Sequence, residues 1–129
     1  MDKAKILLID DEIDFLDMVR EKLELEGYEV ITAKNGEEGL DRARLARPDL
    51  IICDIMMPGK NGFEVLRNLK RSGDNRAPFV MLTVVNDFER IKEAYEDEAD
   101  FYVTKPVELD KLINNVRVLL NLAGSKKNE

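Results

Sequence analysis

Hydrophobic residues follow two alternating patterns along the chain, a short apolar run and a longer segment with helical spacing. The run at residues 50–53 is apolar throughout, which is typical of a strand buried on both faces of a parallel sheet. The pattern predicts strands at residues 5–10, 28–33, 49–54, 77–83 and 100–104. It predicts helices that end near residues 27 and 47, one over residues 62–71, one from about residue 86, and one along the stripe at residues 109–120.

This alternation predicts the fold class. Five strands that alternate with five helices specify an α/β domain whose parallel sheet is covered by helices on both faces. Because crossovers are right-handed, we expect a doubly wound five-stranded sheet of order 2-1-3-4-5, a flavodoxin-like arrangement. A chain of 129 residues fits one such domain. We expect it to cover residues 1–122, with residues 123–129 as a polar tail or the start of a linker.

Composition narrows the classes of function. The net charge of −7 argues against direct nucleic-acid binding by this domain, which requires a basic face. The chain has no histidine, which excludes Ser-His and Cys-His catalytic pairs. Its single cysteine, Cys53, excludes an internal disulfide and is expected in the core. We expect a cytoplasmic protein without membrane contact, because no apolar run approaches the length of about 20 residues that a membrane span requires.

Charged or hydroxyl side chains stand at the carboxyl ends of four predicted strands. They are Asp10 and Asp11 after the first strand, Asp54 after the third, Thr83 after the fourth and Lys105 after the fifth. These four strands are neighbours in the expected order, so the side chains can meet in the crevice where open α/β sheets bind ligands. Three carboxylates close together repel one another unless a cation neutralises them. An all-oxygen site of this kind suits Mg²⁺, with Mn²⁺ as a substitute.

Lys105 and Thr83 add a positive charge and a hydroxyl donor to this site. With a metal ion they form a receptor for an anion, and the anion that fits is a phosphoryl group on Asp54 itself. The chain has neither a Walker loop nor a GxGxxG motif, so we expect the phosphoryl donor to be an external molecule. Each acid also has an alternative role that needs no ligand. Asp54 can cap the turn after its strand, and Asp10 and Asp11 can stabilise the amino terminus of the first helix, where negative charge is favoured.

Four motifs resemble those of the receiver domains of two-component response regulators. In chain order they are residues 10–12 (DDE), 54–62 (DIMMPGKNG), 82–83 (LT) and 99–106 (ADFYVTKP), and the resemblance extends over about residues 4–122. It implies that Asp54 accepts a phosphoryl group from the phosphohistidine of a sensor histidine kinase. It also implies a Mg²⁺ site formed by the carboxylates of Asp10, Asp11 and Asp54 and the backbone carbonyl of Met56.

The resemblance also implies a conformational switch. Lys105 matches the invariant lysine of the family, Thr83 its switch hydroxyl and Tyr102 its rotating aromatic residue. Thr83 is then expected to turn towards the phosphoryl group and Tyr102 to fill the vacated space, whereas plain packing is the alternative for Tyr102. The switch would control a downstream protein or effector domain, and homodimerisation on phosphorylation is a further expectation. The Lys105–Pro106 bond is expected to be cis.

Two rival functions fit parts of the pattern. The first is a Mg²⁺-dependent aspartyl-phosphate phosphatase of the haloacid dehalogenase kind, which usually has a second Asp two residues after the nucleophile. Met56 occupies that position here. The second is a receiver-like docking module that is never phosphorylated. The complete set of acids, hydroxyl and lysine favours a signalling module that catalyses only its own phosphorylation and dephosphorylation.

Two positions depart from the family pattern. Val84 stands where Ala or Gly is usual and, together with Met56, predicts restricted water access and slow hydrolysis of a phosphoaspartate. Glu98 replaces a glycine that would end the fourth helix. Between residues 86 and 100, seven acids and two bases leave a local charge of −5, which is either a solvated helix face or a surface for a basic partner. Glu12 is expected to cap the first helix rather than to bind metal.

Overall fold

The structure, a computed structural model, describes residues 3–73, 77–84 and 99–127. Three expectations lie outside these residues: the helix from about residue 86, the turn at Glu98, and all but one of the seven acids between residues 86 and 100. The described strands are β1 (Lys5–Ile9), β2 (Glu29–Ala33), β3 (Leu50–Asp54), β4 (Phe79–Val84) and β5 (Phe101–Lys105). The described helices are α1 (Ile13–Leu25), α2 (Gly36–Ala46), α3 (Gly62–Ser72) and the C-terminal helix (Leu109–Lys127).

All five strands are parallel and pair in the order β2-β1-β3-β4-β5, which confirms the predicted topology. Asp54 of β3 pairs with Leu82 of β4. The start of β5 is joined to β4 by Asp100, whose carboxylate accepts the Phe79 backbone N–H at 2.7 Å. Of the seven acids between residues 86 and 100, Asp100 lies within the described residues. Its carboxylate has a structural role there, because it holds the backbone N–H at the start of β4. The parallel arrangement brings the carboxyl ends of β1, β3, β4 and β5 to one edge of the sheet.

Alternate residues of the strands face two helical layers. One layer consists of α1 and the C-terminal helix and packs on Ile6, Leu8, Leu50, Ile52, Val80 and Leu82. The other consists of α2 and α3 and packs on Leu7, Ile9, Ile51, Cys53, Phe79 and Met81. The two sets alternate because successive side chains of a strand point to opposite faces of the sheet. Burial on both faces explains why the strand sequences are almost continuously apolar.

Side-chain caps determine where two helices begin. Asn35 caps α2 by accepting the Glu38 backbone N–H at 2.8 Å. Asn61 and Glu64 form a capping box at the start of α3, each side chain accepting the backbone N–H of the other residue. Gly73 caps the end of α3 at a φ of 70°, a left-handed conformation that glycine adopts without steric cost. The helix that follows the Asp54 loop therefore begins and ends at residues with clear local signals.

The C-terminal helix is longer than the sequence pattern predicts. Its buried stripe includes Leu112, Ile113 and Val116, and the helix continues to Lys127, beyond the apolar stripe at residues 109–120. No proline interrupts this segment, so nothing in it forces the helix to end. The domain boundary at residue 122 stays a prediction. Within the described residues, no helix, this one included, is both long and apolar enough to cross a membrane.

Candidate functional site

Asp10 follows β1 directly and is held by backbone and side-chain hydrogen bonds. Its N–H donates to the Ala33 carbonyl of β2 at 3.1 Å, which extends the strand pairing by one residue. Its side chain is fully buried. Oδ1 accepts the Glu12 backbone N–H at 3.0 Å, and Oδ2 accepts a hydrogen bond from Lys105 Nζ at 2.8 Å. One carboxylate therefore links the start of α1 to the end of β5.

Asp54 is the last residue of β3, and the loop after it folds back against the strand end. The Ile55 N–H donates to the Leu82 carbonyl, and the Gly62 N–H donates to the Ile55 carbonyl, both at 3.0 Å. A Cβ atom at position 62 would lie 2.7 Å from the Asp54 carbonyl oxygen, so this close approach requires glycine. Asp54 is only 6% exposed. The chain thus presents a largely buried carboxylate at the edge of the sheet.

Asp10, Asp11 and Asp54 form an acid cluster. One carboxylate oxygen from each residue lies within 4.8 Å of those from the other two. Asp10 and Asp54 are buried, whereas Asp11 is exposed to solvent. Three like charges at these distances repel one another, and hard oxygen donors so close together suit a small divalent cation.

Lys105, the last residue of β5, places its ammonium group against the acid cluster. Its Nζ lies 2.8 Å from Asp10 Oδ2, 3.6 Å from Asp54 Oδ2 and 3.6 Å from Glu12 Oε1. The Lys105 side chain is 14% exposed, so it is a partner of the acids rather than a solvated surface lysine. The Lys105–Pro106 peptide bond is cis, as expected.

Burial and mutual repulsion shift the pKa values of the cluster. Burial raises the pKa of Asp54 to about 6; the Asp10 charge adds to the increase and Lys105 opposes it. Burial also raises the pKa of Asp10, although its hydrogen bonds with Lys105 and Glu12 lower it. Burial lowers the pKa of Lys105, but its hydrogen bond to Asp10 and the nearby Asp54 charge outweigh this effect, so the pKa is raised overall. Burial is the largest cause of both raised carboxylate pKa values, and the nearby Lys105 ammonium offsets it only in part.

Thr83 and Tyr102 lie on the neighbouring strands and make other contacts. Thr83 is buried in β4, and its hydroxyl donates to the Val84 carbonyl at 3.2 Å. The Tyr102 ring packs against Phe63, with ring centroids 6.4 Å apart and an angle of 41° between the planes. The Tyr102 hydroxyl is also buried. The two residues predicted to form the switch thus have contacts with Val84 and Phe63: Thr83 is buried, and Tyr102 is partly buried.

Met56 approaches the acid cluster through its backbone rather than its side chain. A hydrogen bond from the Met56 backbone N–H lowers the pKa of Asp54, in opposition to burial. The Met56 side chain is 58% exposed and that of Val84 is 42% exposed. Both side chains therefore lie at the protein surface, next in the chain to site residues, and slow hydrolysis of a phosphoaspartate stays a prediction.

Two contacts of Lys105 were not predicted from the sequence. Glu12 stands at the predicted cap position of α1, but its carboxylate makes no capping hydrogen bond and lies 3.6 Å from the Lys105 ammonium. The ring of Phe15 lies against the same ammonium, with Nζ 4.5 Å from the ring centroid. The sequence signal that could have predicted the second contact is the position of Phe15, about one helical turn after the acidic residues 10–12.

Comparison with known proteins identifies the class of this chain. Residues 6–117 match the response regulator receiver domain family. Because the match covers most of the chain, the chain belongs to this family. It is a receiver domain of the kind found in two-component response regulators, which are phosphorylation-activated signalling modules.

Two similar curated proteins are named as transcriptional regulatory proteins. The uncharacterized transcriptional regulatory protein YkoG of Bacillus subtilis is 36% identical over 126 residues, which are 98% of this chain and 55% of that protein. The transcriptional regulatory protein AfsQ1 of Streptomyces coelicolor is 41% identical over 119 residues, with coverages of 89% and 50%. The chain thus spans about half the length of these curated relatives.

Solved structures of stand-alone receiver domains resemble the whole fold. The chemotaxis protein CheY4 of Vibrio cholerae has a TM-score of 0.80 and 32% identity, covering 92% of this chain and 99% of that chain. A CheY-like receiver domain protein from Methanospirillum hungatei has a TM-score of 0.87 and 28% identity, with coverages of 97% and 99%. The described strands and helices therefore have the arrangement found in receiver domains.

Proposed function

We propose that Asp54 accepts the phosphoryl group that activates this domain. The proposal is supported by the charged groups around Asp54. Oxygens of three carboxylates lie within 4.8 Å of one another, and the Lys105 ammonium lies 3.6 Å from Asp54 Oδ2. Phosphoryl transfer needs a nucleophile, a place for a divalent cation and a positioned positive charge, and this arrangement offers all three.

In the proposed step, a carboxylate oxygen of Asp54 attacks the phosphorus of a phosphohistidine on a sensor histidine kinase. The P–N bond breaks with its electron pair remaining on the imidazole, and an O–P bond to Asp54 forms. The pKa of about 6 leaves the Asp54 carboxylate ionised and nucleophilic at neutral pH. Lys105 stabilises a phosphoryl oxygen by a charge-assisted hydrogen bond. Later attack by water releases inorganic phosphate and restores the carboxylate, so the domain transforms only its own phosphoryl group.

Receiver domains typically use Mg²⁺, and the residues here fit that ion. In the proposal, Asp10, Asp11, Asp54 and the Met56 carbonyl hold it, with Mn²⁺ as a substitute. When bound, Mg²⁺ supplies positive charge that neutralises the carboxylates and the phosphoryl oxygens. The close approach of the three carboxylates supports this fit, because a cation between them would relieve their mutual repulsion.

Thr83 and Tyr102 are the proposed switch. The Thr83 hydroxyl now donates to a neutral carbonyl at 3.2 Å, and turning towards the phosphoryl group gives it a charged acceptor. A hydrogen bond of that kind contributes about 1.5–3 kcal/mol. A change in population from about 1:99 to 99:1 needs roughly 5.5 kcal/mol. Lys105 and repacking of Tyr102 therefore share the change, or the unphosphorylated domain already samples the active form.

The proposed partners are a sensor histidine kinase as donor and a downstream protein or effector domain as receiver of the signal. Relatives about twice as long are named transcriptional regulatory proteins, which supports an effector linked to domains of this kind. The net charge of −7 supports the prediction that this domain does not itself contact nucleic acid. A cytoplasmic location and homodimerisation on phosphorylation remain predictions.

The test is incubation with acetyl phosphate and Mg²⁺, followed by intact-mass measurement. The wild type is expected to gain one phosphoryl group, and Asp54→Asn is expected to gain none because the amide is a poor nucleophile. The matched control is Asp41→Asn, which makes the same change at an exposed position of α2 and is expected to behave as the wild type.

Two results would contradict the proposal. One is phosphorylation of Asp54→Asn to the wild-type extent, which would place the phosphoryl group on another residue. The other is a wild type left unmodified both by acetyl phosphate and by a phosphorylated histidine kinase, which would favour the docking-module alternative. Removal of divalent cations with a chelator is expected to abolish modification of the wild type.

A further inference from the structure

The start of α1 contributes two groups to the surroundings of Lys105, and they differ in kind. Glu12 brings a carboxylate that lies 3.6 Å from Nζ and is 68% exposed. Phe15 brings the face of an aromatic ring, with its centroid 4.5 Å from Nζ. A cation within about 6 Å of a ring centroid is attracted by the negative face of the ring. Phe15 also packs partly on the core between α1 and the C-terminal helix, which holds its ring in place.

The contact with Phe15 differs from the other contacts of Lys105 in its dependence on charge. Asp10 and Asp54 attract the ammonium as anions, at 2.8 Å and 3.6 Å. These are two of the three acids in the cluster that suits a divalent cation. A cation bound there engages the same carboxylate oxygens and repels the ammonium, so this attraction weakens when the site is loaded. The ring carries no net charge and uses no N–H donor of Lys105, so its attraction persists.

We propose that Phe15 is a positioning residue for Lys105, keeping the ammonium beside Asp54 when a divalent cation occupies the acid cluster. The inference rests on the proposed role of Lys105 in phosphoryl transfer and adds a residue from α1 to that function. Glu12 cannot substitute for Phe15, since its carboxylate is 68% exposed and a solvated carboxylate pairs with a cation only weakly.

The test compares Phe15→Leu, which keeps an apolar side chain, with Phe15→Tyr, which keeps the aromatic face. The first readout is the NMR shift of the Lys105 ε-methylene protons, which a ring face moves upfield. We expect the upfield shift in the wild type and in Phe15→Tyr, both without and with saturating Mg²⁺, and its loss in Phe15→Leu. The second readout is the rate of phosphorylation by acetyl phosphate, which we expect to fall by about two- to fivefold in Phe15→Leu and to recover in Phe15→Tyr.

The control for a general effect of losing an aromatic ring is Phe101→Leu, at the opposite end of β5 from Lys105. It is expected to leave both readouts unchanged. Equal rates for the wild type and Phe15→Leu, or a rate for Phe15→Tyr as low as that for Phe15→Leu, would overturn the inference. So would an ordinary shift for Lys105 in the wild type. If Phe15→Leu does not fold, the shift in the wild type and in Phe15→Tyr still decides the matter.

Failure of the proposed function gives a different result. In that case the wild type itself is not phosphorylated at Asp54, whatever residue stands at position 15. If the wild type is phosphorylated and the Phe15 variants match it, only the role of Phe15 is wrong.

Discussion

The acid cluster with Lys105 and the pair formed by Thr83 and Tyr102 differ in how far they are assembled. The ammonium of Lys105 already lies 2.8 Å from Asp10 and 3.6 Å from Asp54. The Thr83 hydroxyl instead donates to its neighbour's carbonyl, and the Tyr102 ring packs on Phe63. The chemical part of the site is thus formed before phosphorylation, whereas the switch residues have other partners to leave.

The sheet separates these two groups. Asp54 lies two residues after Ile52 and four after Leu50, so its side chain is on their face of the sheet, which packs on α1 and the C-terminal helix. Thr83 shares in the same way the face of Phe79 and Met81, which packs on α2 and α3. Since successive side chains alternate between faces, the proposed coupling of Asp54 to Thr83 would cross the sheet at its edge. The proposed switch would therefore require a rearrangement of the strand end.

The largest effect is expected from Asp54→Asn on the stability of the metal-free protein. Burial and the Asp10 charge raise the pKa of Asp54 from 3.8 to about 6, so ionised Asp54 costs about 3 kcal/mol in the fold. We expect the variant to have a free energy of unfolding higher than that of the wild type by about 2–3 kcal/mol at pH 8. Urea denaturation in the presence of a chelator measures it, with Asp41→Asn as the matched control.

The pH dependence of this difference follows from the sign of the shift. Between pH 3.8 and about 6 the folded protein binds more protons at Asp54 than the unfolded chain, so the stability of the wild type falls as the pH rises through that window. The advantage of Asp54→Asn is therefore expected to shrink as the pH falls below about 6 and to shrink at pH 8 when Mg²⁺ is added. An advantage independent of both pH and Mg²⁺ would show that the charge of Asp54 is not its cause.

A smaller effect is expected from Thr83→Ala, which tests the separation between chemistry and switch. The variant is expected to be phosphorylated by acetyl phosphate, because the acids and Lys105 are unchanged. Its ratio of active to inactive form after phosphorylation is expected to fall about tenfold, since a charge-assisted hydrogen bond contributes at least about 1.5 kcal/mol. The measurement is the change in amide chemical shifts along β4 and β5 on phosphorylation.

Thr83→Ser is the control for this experiment, because it keeps a hydroxyl at the same position. It is expected to respond as the wild type does. A full response of Thr83→Ala would mean that the phosphoryl group acts on the sheet edge without this hydroxyl. It would contradict the proposal that Thr83 belongs to the switch.

The smallest effect is expected from Val84→Ala on the lifetime of the phosphoryl group. If Val84 limits access of water to Asp54, the smaller side chain is expected to speed hydrolysis about two- to fivefold, which corresponds to less than about 1 kcal/mol in the barrier. Loss of the phosphorylated mass with time measures it. Val118→Ala makes the same change at a similarly exposed position of the C-terminal helix, 47% against 42% for Val84, and is the control. A wild-type lifetime of seconds would contradict the predicted slow hydrolysis.

Much of the fold and the position of the site could be predicted from local sequence. Apolar runs identify β1, β3 and β4 because strands buried on both faces have almost no polar positions in between, whereas the edge strands β2 and β5 are half-exposed and include polar residues. Asn35 and Gly62 stand at helix starts, as expected from the predicted helices. Asp54 and Lys105 could be placed at one edge because parallel strands all end on the same side of a sheet. The expected end of the last helix was too early, since polar residues mark a boundary only where they also break the helix.

What the sequence by itself determined is therefore the order of the elements, the strand topology and the set of side chains at the sheet edge. Only the tertiary structure decided that Lys105 bonds to Asp10, 95 residues away in the chain, that Glu12 pairs with this lysine, and that Phe15 lies against its ammonium. It also decided the raised pKa of Asp54. The reason is physical: periodicity and caps are local properties of the chain, whereas burial, charge spacing and the choice among contact partners arise when distant segments are packed together.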